Sequence, residues 1–259
     1  MGRLNSSASV SSELAFCHLL EMGSVVLFCP SNGKGIRRMS FDFEPDECHV
    51  RAVMDMRHRH LSDEQVQQFE GYMAEILTAF GLDMQTPATQ RTPQRFLQAL
   101  FDATEGYEGD PKLLMLFETE RRGELDGRLD QIIEGPIPFF SLCEHHVLPF
   151  HGQAYVGYIA NEHILGLSKL TRLVRLFAKR FTMQERMGQQ IADALDTILQ
   201  PYGVAVCLQA HHLCTQMRGV REVAPLTRTT SWRGVYETDP ALRAEFFSIC
   251  IPASSSRTQ

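Results

Sequence analysis

The run PFFSLCEHHVLPFHG, residues 138–152, sets polar side chains inside an apolar stretch. The cluster Cys143-Glu144-His145-His146 stands between Phe139-Phe140 and Val147-Leu148. Burying polar groups without hydrogen-bond or metal partners costs roughly 2–7 kcal/mol. The stretch therefore predicts two apolar strands that meet at a turn, whose thiol and imidazole groups have a partner of their own.

Outward from this run, the hydrophobic pattern alternates between helical and strand spacing. Helical spacing begins after Ser62, which precedes Asp63 and Glu64, and returns at Thr92-Pro93, where proline suits a first helical turn. The remaining segments are predicted as strands over 131–143 and 152–160, helices from Ser168 and Thr182, and strands over 204–214 and 225–236. This order, α-α-β-β-α-α-β-β, predicts an α+β fold with an antiparallel sheet.

Each of the four predicted helices has an apolar face, which on the helix after Thr92-Pro93 comprises Phe96, Leu97, Leu100 and Phe101. On the first, this face comprises Val66, Phe69, Met73, Ile76, Leu77 and Phe80. On the helix after Ser168, it comprises Leu170, Leu173, Val174 and Phe177. On the helix after Thr182, it comprises Met187, Ile191, Ala194, Leu195 and Ile198.

Composition restricts the class of protein. The chain has 259 residues, a net charge of −6 and 44% hydrophobic residues, values that indicate a globular protein and do not favour a broad nucleic-acid-binding surface. Seven irregularly spaced cysteines predict reduced thiols in the cytoplasm rather than a disulfide framework. The apolar stretch Leu14–Cys29 is interrupted by His18 and Glu21, and it predicts neither a membrane span nor a signal peptide.

The same composition divides the chain into three parts. Residues 1–57 contain the loop-like runs NSSASVSS and PSNGKG without sustained periodicity, and they are predicted to form a flexible N-terminal extension. Residues 58–253 are predicted to form one domain, and residues 254–259 a C-terminal tail.

Two clusters carry residue types that bind transition metals. Cys143-x-x-His146 is one, and His211-His212-Leu213-Cys214 is the other. Cys143, His146 and Cys214 would fill three positions of a zinc site and leave the fourth for water, whose pKa zinc lowers to roughly 7. With His145 or His212 as a fourth ligand, the site would be purely structural, and spacing alone leaves both alternatives and the absence of metal open.

The surplus histidines favour the catalytic alternative. Neighbouring residues on a strand face opposite sides, so His145 faces away from a metal held by His146 unless the turn twists it. His212 is two residues from Cys214 and shares its face in a strand. A free imidazole beside a metal-bound water is suited to general acid or base catalysis.

Charged residues follow two of the predicted helix starts. Lys169, Arg172 and Arg175 recur every three residues from a helix N-terminus, which indicates either an anion site or a solvated helix face. The sequence TMQE, residues 182–185, fits a capping box with Thr182 as the N-cap and Glu185 reaching back.

Several longer blocks resemble one known family. They are SLCEHHVLPFHGQAYVGYI, ILGLSKLTRLVRLFAKRFTMQERMGQQIADAL, HHLCTQMRGV and TRTTSWRG, with TPQR upstream. In this order they closely resemble GTP cyclohydrolase I, over roughly residues 60–250. Residues 1–57 have no recognised counterpart, and TRTTSWRG has fewer consecutive threonines than many relatives.

The resemblance implies a fold, a reaction and an assembly. The fold is the tunnelling fold, a four-stranded antiparallel sheet with helices on one face, assembled into a toroidal homodecamer with active sites at subunit interfaces. The reaction opens the imidazole ring of GTP, releases formate and recloses the rearranged product as 7,8-dihydroneopterin triphosphate. This is the first step of folate and tetrahydrobiopterin biosynthesis.

The resemblance also implies a role for individual residues. Cys143, His146 and Cys214 are similar to the ligands of one Zn2+ per subunit, and His145 and His212 to the groups that move protons around C8 and N7 of guanine. Glu185, with Gln184, is similar to the pair that recognises guanine. The triphosphate-binding residues by the same comparison are Ser168, Lys169, Arg172 and Arg218, with Arg95 reaching a neighbouring subunit's site.

Two other functions remain as alternatives to this one. A related cyclohydrolase would release the cyclic phosphate of dihydroneopterin, but the intact basic residues and Glu185 argue against it. A non-catalytic zinc-stabilised module would have lost His145, His212 or Glu185, and the sequence retains all three.

Overall fold

A computed structural model of the protein describes residues 52–114, 116–118 and 130–250. Its helices in chain order are α1 Asp63–Ala79, α2 Thr92–Ala103, α3 Leu167–Ala178, α4 Gln184–Leu199, α5 Leu213–Gln216, α6 Val235–Thr238 and α7 Pro240–Cys250. The strands are β1 Leu116–Glu118, β2 Ile132–Cys143, β3 Pro149–Ile159, β4 His163–Leu165, β5 Phe181–Thr182, β6 Gly203–His212 and β7 Thr227–Gly234. The predicted α+β class is confirmed.

The main sheet has five strands in the order β5-β2-β3-β6-β7. The pairs β2–β3, β3–β6 and β6–β7 are antiparallel, as predicted for a four-stranded antiparallel sheet. The prediction did not include β5, which runs parallel to β2 and pairs Phe181 with Leu142 and Thr182 with Cys143. A separate two-stranded ladder joins β1 to β4.

Helices α3 and α4 form most of the core against one face of the sheet. All the inward residues predicted for these two helices are buried. Burying one such apolar side chain contributes roughly 1.5–3 kcal/mol. The two helices therefore anchor the sheet, and the loops at their N-termini are held in place by the core beneath them.

The other face of the sheet is also covered, which differs from the prediction of helices on one face alone. Tyr155 of β3 and Cys207 of β6 are buried there with Tyr236, Phe246 and Cys250 from the C-terminal segment. The prediction ended before α7, because the apolar residues of that helix do not form a single stripe.

Helix starts show where local sequence signals succeed and fail. Ser62 forms a capping box with Gln65 at the start of α1, as its position suggested. The prediction that Ser168 caps its helix is wrong, because the N-cap of α3 is Gly166. Thr182 is not a cap either, since it lies in β5 and α4 begins after Met183.

Helices α1 and α2 contribute little to this core. No residue of α1 is buried, and Pro93 is the one buried residue of α2. The predicted apolar face of α1 includes Ile76, 49% exposed, and Phe80, 88% exposed. The amphipathic pattern was correct, since Val66, Phe69, Met73 and Leu77 are half-buried and α1 packs against α2.

The segment before α1 is attached to the domain through Arg180. Its guanidinium donates hydrogen bonds to the carbonyl oxygens of Met54 and Gly106 and lies over the Phe177 ring. Burial lowers the pKa of Arg180 to about 10. Met54 itself is buried, so packing reaches into the segment that composition assigned to the extension.

Other predictions concern residues outside the described ranges. They are the remainder of the extension, including Leu14–Cys29, and the tail over residues 254–259. In the described part of the chain, no helix has the length and apolar character that crossing a membrane would require.

Candidate active site

The turn between β2 and β3 brings Cys143, His145 and His146 together. The Cys143 amide donates to the Leu148 carbonyl at 2.9 Å, and the Val147 amide donates to the Cys143 carbonyl at 2.8 Å. Val147 has a positive φ of 55°, which is uncommon for a β-branched residue and tightens the turn. The two histidines therefore lie on a turn, and the strand alternation used to separate them does not apply.

Cys214 reaches the same place from β6. Strand pairing sets Phe150 of β3 opposite His212, the last residue of β6. The short helix α5 follows at once and contains Cys214. Ligand atoms of Cys143, His146 and Cys214 consequently lie within 4.8 Å of one another.

This group fits a zinc ion by its chemistry and its spacing. Two thiols and one imidazole are ligands that zinc accepts, and bonds of roughly 2.0–2.3 Å would require the ligand atoms to close in by about 1 Å. Among the described residues, this is the one group of three with such spacing. Burial and the nearby Cys143 raise the pKa of the Cys214 thiol, whereas a bound cation favours the thiolate.

His145 contacts the same group without belonging to it. Its Nδ1 lies 3.8 Å from the Cys143 sulfur, and its ring meets the His146 ring edge-on at 6.1 Å. Both histidines are exposed, whereas Cys143 is buried. An exposed imidazole beside a buried thiol can exchange protons with a ligand that approaches from solvent.

His212 is held from two sides. Its ring stacks on Phe150 with centroids 4.6 Å apart and planes inclined by 4°. Its Nε2 lies 2.8 Å from Oε1 of Gln184, the first residue of α4. Burial lowers the pKa of His212 and favours the neutral ring, and the charge of Glu185 opposes this effect.

Glu185 is exposed in the first turn of α4, where the helix dipole favours a carboxylate. The next residue, Arg186, forms a bidentate ion pair with Glu144 of the metal-binding turn. Neither Glu144 nor Arg186 was predicted to contribute to the site. Their spacing of 42 residues leaves no local signal, although each neighbours a candidate site residue.

Two of the predicted phosphate-binding residues begin α3. Ser168 and Lys169 lie in the first turn of this helix. Arg172 follows one turn later, and its Nη1 donates to the Asp110 carboxylate at 3.0 Å. The Asp110 interaction was not predicted, and it shows that a carboxylate competes for part of this basic surface.

Arg218 and Arg95 lie on different parts of the chain. Arg218 follows α5, is exposed, and acts electrostatically on Cys214 by favouring its thiolate. Arg95 lies on α2 and donates to the Ala88 carbonyl at 3.2 Å. The structure thus brings Arg218 near Cys214, whereas Arg95 bonds to the turn that precedes its own helix.

The fold and the site are those of an α+β enzyme with a group of side chains that could hold a metal ion. The sequence pattern of the GTP cyclohydrolase I family matches residues 69–251. The chain is 37% identical over 221 residues to GTP cyclohydrolase 1 of Dictyostelium discoideum, covering 85% of this chain and 88% of that protein. It is 44% identical to GTP cyclohydrolase 1 of Deinococcus radiodurans over 174 residues, 67% of this chain and 79% of that protein.

A third relative, GTP cyclohydrolase 1 of Campylobacter concisus, is 38% identical over 186 residues, which are 71% of this chain and 94% of that protein. The chain therefore belongs to the GTP cyclohydrolase I family, a family of hydrolases.

Proposed function

We propose that the protein converts GTP and water to 7,8-dihydroneopterin triphosphate and formate. The observation that carries the proposal is the group Cys143, His146 and Cys214, with ligand atoms within 4.8 Å of one another, in a chain of this family. His145 Nδ1 lies 3.8 Å from the Cys143 sulfur, and His212 precedes Cys214 by two residues, which supports proton-transfer roles for both histidines.

In this proposal Cys143, His146 and Cys214 hold one Zn2+. The ion, when bound, supplies the Lewis acidity that activates water for attack at C8 of guanine. Proton transfer at C8 and N7 is assigned to His145 and His212, because an imidazole can accept a proton and return it. Burial lowers the pKa of His212, which favours its neutral ring.

Recognition of the base is assigned to Glu185. Its exposed carboxylate can accept two N–H hydrogen bonds from the guanine edge. A purine without those donors would leave the carboxylate desolvated and unpaired, which disfavours binding. Glu185 lies three residues beyond Thr182, which pairs with Cys143.

Binding of the triphosphate is assigned to the basic residues. Ser168 and Lys169 stand at the start of α3, where free backbone amides and the helix dipole favour an anion. Arg172 and Arg218 add positive charge. When the triphosphate binds, Arg172 donates hydrogen bonds to phosphate oxygens in place of part of its interaction with Asp110. Binding energy from the distant phosphates orients the base for reaction.

Self-association completes the proposal. Exposed apolar side chains on α1 and at its C-cap, including Tyr72, Ile76 and Phe80, provide a surface that another copy can cover. Arg95, on the adjoining α2, would then reach into the active site of a neighbouring copy. We propose a homodecamer with active sites between subunits, as the family resemblance implies.

The test is turnover of GTP by zinc-loaded protein. The expected result is one formate for each GTP consumed and a product whose mass is that of dihydroneopterin triphosphate. A product with the mass of the cyclic phosphate would support the alternative cyclohydrolase. Absence of formate from GTP, with one zinc per chain confirmed by elemental analysis, would exclude the proposed reaction.

A further inference from the structure

Gln184 is the most completely bonded polar side chain around the site. It is 1% exposed. Its Nε2 donates to the carbonyl oxygens of Leu208 and Thr227, each at 3.1 Å, and lies 3.2 Å from Oγ1 of Thr229. Its Oε1 lies 2.8 Å from Nε2 of His212.

The two carbonyl partners fix the orientation of this amide. Rotating the Gln184 amide by 180° would exchange Nε2 and Oε1. Oε1 would then face the carbonyl oxygens of Leu208 and Thr227 at about 3.1 Å, with no proton between them. Such an arrangement leaves buried acceptors unpaired, which costs roughly 1–3 kcal/mol for each group. The orientation with Nε2 toward the carbonyls and Oε1 toward His212 is therefore strongly favoured.

A fixed acceptor at Gln184 determines where the proton of His212 resides. Oε1 has lone pairs only, so the 2.8 Å contact is a hydrogen bond when Nε2 of His212 carries the proton. A neutral imidazole has one N–H, so its Nδ1 keeps a free lone pair. Stacking on Phe150 fixes the plane of the ring at the same time.

We propose that Gln184 is a positioning residue that holds His212 as the Nε2–H tautomer and makes Nδ1 its proton-accepting atom. The second half of this statement rests on the proposed function. The proton accepted by Nδ1 gives an imidazolium, and the same atom returns it in a later step. Guanine recognition then falls to the exposed Glu185, since the amide of Gln184 is fully engaged inside the domain.

The tautomer can be measured directly by nitrogen NMR. Zinc-loaded full-length protein, labelled with 15N at its ten histidines, is sedimented and studied by solid-state NMR. The His212 resonances are those lost in His212→Gln. We expect a pyrrole-type shift at Nε2 and a pyridine-type shift at Nδ1. A proton on Nδ1 in the wild-type protein would overturn the proposal.

Two substitutions then separate positioning from mere stability. Gln184→Met removes the acceptor, so the two His212 nitrogen shifts should approach each other and kcat should fall by about 10–100-fold, with KM for GTP changed less than about threefold. Gln184→Glu, protonated in this buried setting, keeps a donor for the carbonyls and an acceptor for Nε2–H. It should retain the wild-type tautomer and a kcat above that of Gln184→Met.

The matched control is Gln209→Leu. Gln209 is a half-buried glutamine of β6, and its Nε2 donates to the carbonyl of Cys250, the last residue of α7. This variant should keep the His212 shifts and kcat. Unchanged shifts and unchanged kcat in Gln184→Met would overturn the proposal.

The spectrum also keeps this test distinct from that of the proposed function. If wild-type protein fails to convert GTP but shows Nε2–H at His212, the reaction is wrong and the positioning role stands. If GTP is converted and the proton is on Nδ1, the reaction stands and the positioning role is wrong. If Gln184→Met does not fold, the wild-type spectrum alone decides.

Discussion

Glu144 and Arg186 join the metal-binding turn to the start of α4. Nη2 of Arg186 donates to Oε1 of Glu144 at 3.0 Å, and Nη1 donates to Oε2. The Glu144 amide also donates to the Thr182 carbonyl at 3.1 Å. Cys143 and His146 lie on the turn at one end of this link, and Glu185 lies on α4 at the other end. The ion pair therefore connects the residues proposed to hold zinc to the segment proposed to recognise the base.

Removing this pair should loosen zinc more than it lowers stability. Glu144→Gln should raise the rate of zinc release to a chromogenic chelator by about tenfold, because groups behind metal ligands typically contribute 10–100-fold in affinity. The thermal midpoint should fall by only a few degrees, since partly exposed ion pairs contribute roughly 0.2–1 kcal/mol.

The matched control is Arg233→Gln. Arg233 pairs with Asp193, on the same helix as Arg186, through a 2.7 Å bond from Nε. This substitution should not change zinc release. The exchanged pair Glu144→Arg with Arg186→Glu should recover part of the wild-type retention. Equal zinc release from Glu144→Gln and wild type would show that the pair does not support the site.

His212→Ala should separate chemistry from binding. Loss of a general acid or base lowers kcat by about 10²–10⁴-fold. Zinc content and GTP affinity should remain near wild type, because His212 lies outside the group of metal-binding side chains. The measurements are formate release, elemental analysis and equilibrium GTP binding on one preparation.

The adjacent histidine provides the control for this prediction. His211 faces the His151 ring at 5.9 Å, and its Nδ1 donates to the Pro225 carbonyl at 2.9 Å. His211→Ala should therefore leave turnover close to wild type. Full turnover in His212→Ala would remove that residue from the mechanism.

Much of this architecture follows from local sequence, because helical and strand periodicities record which side of an element is buried. The inward faces of α3 and α4 and the four long strands were predicted on that basis. Thr182 shows the limit of the method: its sequence context fits a helix cap, but pairing of β5 with Cys143 determines its conformation. Gln184 shows the same limit, since its partners are 24 to 45 residues away.

Charged substitutions on α1 should dissociate the assembly. Ile76→Asp or Phe80→Asp adds a carboxylate to an exposed apolar surface, and desolvating that charge in an interface costs several kcal/mol. The α1 surface adds no buried residue to the core, so the isolated chain should keep its secondary structure. Light scattering after size exclusion should show a smaller particle, with turnover reduced if neighbouring copies share sites.

Gln189→Asp is the control for the assembly. Gln189 is exposed on α4 and already polar, so its substitution should leave particle mass unchanged. Wild-type mass in both α1 variants would show that this surface is not an interface between copies.

Gly152 should tolerate no side chain. A Cβ there would lie 1.8 Å from the Gln209 carbonyl oxygen and 2.7 Å from Cα of Ala210, so β3 and β6 would have to separate. Gly152→Ala should cost about 3 kcal/mol and lower the thermal midpoint by roughly 6–12 °C. The displacement would also disturb the neighbouring Phe150–His212 pair, so zinc-loaded turnover should fall with stability.

Gly71→Ala is the opposite case within the same chain. A Cβ at Gly71 meets no atom within 4 Å. Gly71 lies inside α1, two positions from Phe69 and two from Met73, and it therefore faces the opposite side of the helix. Alanine should therefore stabilise the helix by about 0.5–1 kcal/mol. Thermal unfolding followed by circular dichroism compares the two variants, and a wild-type midpoint for Gly152→Ala would mean that β3 and β6 can separate without penalty.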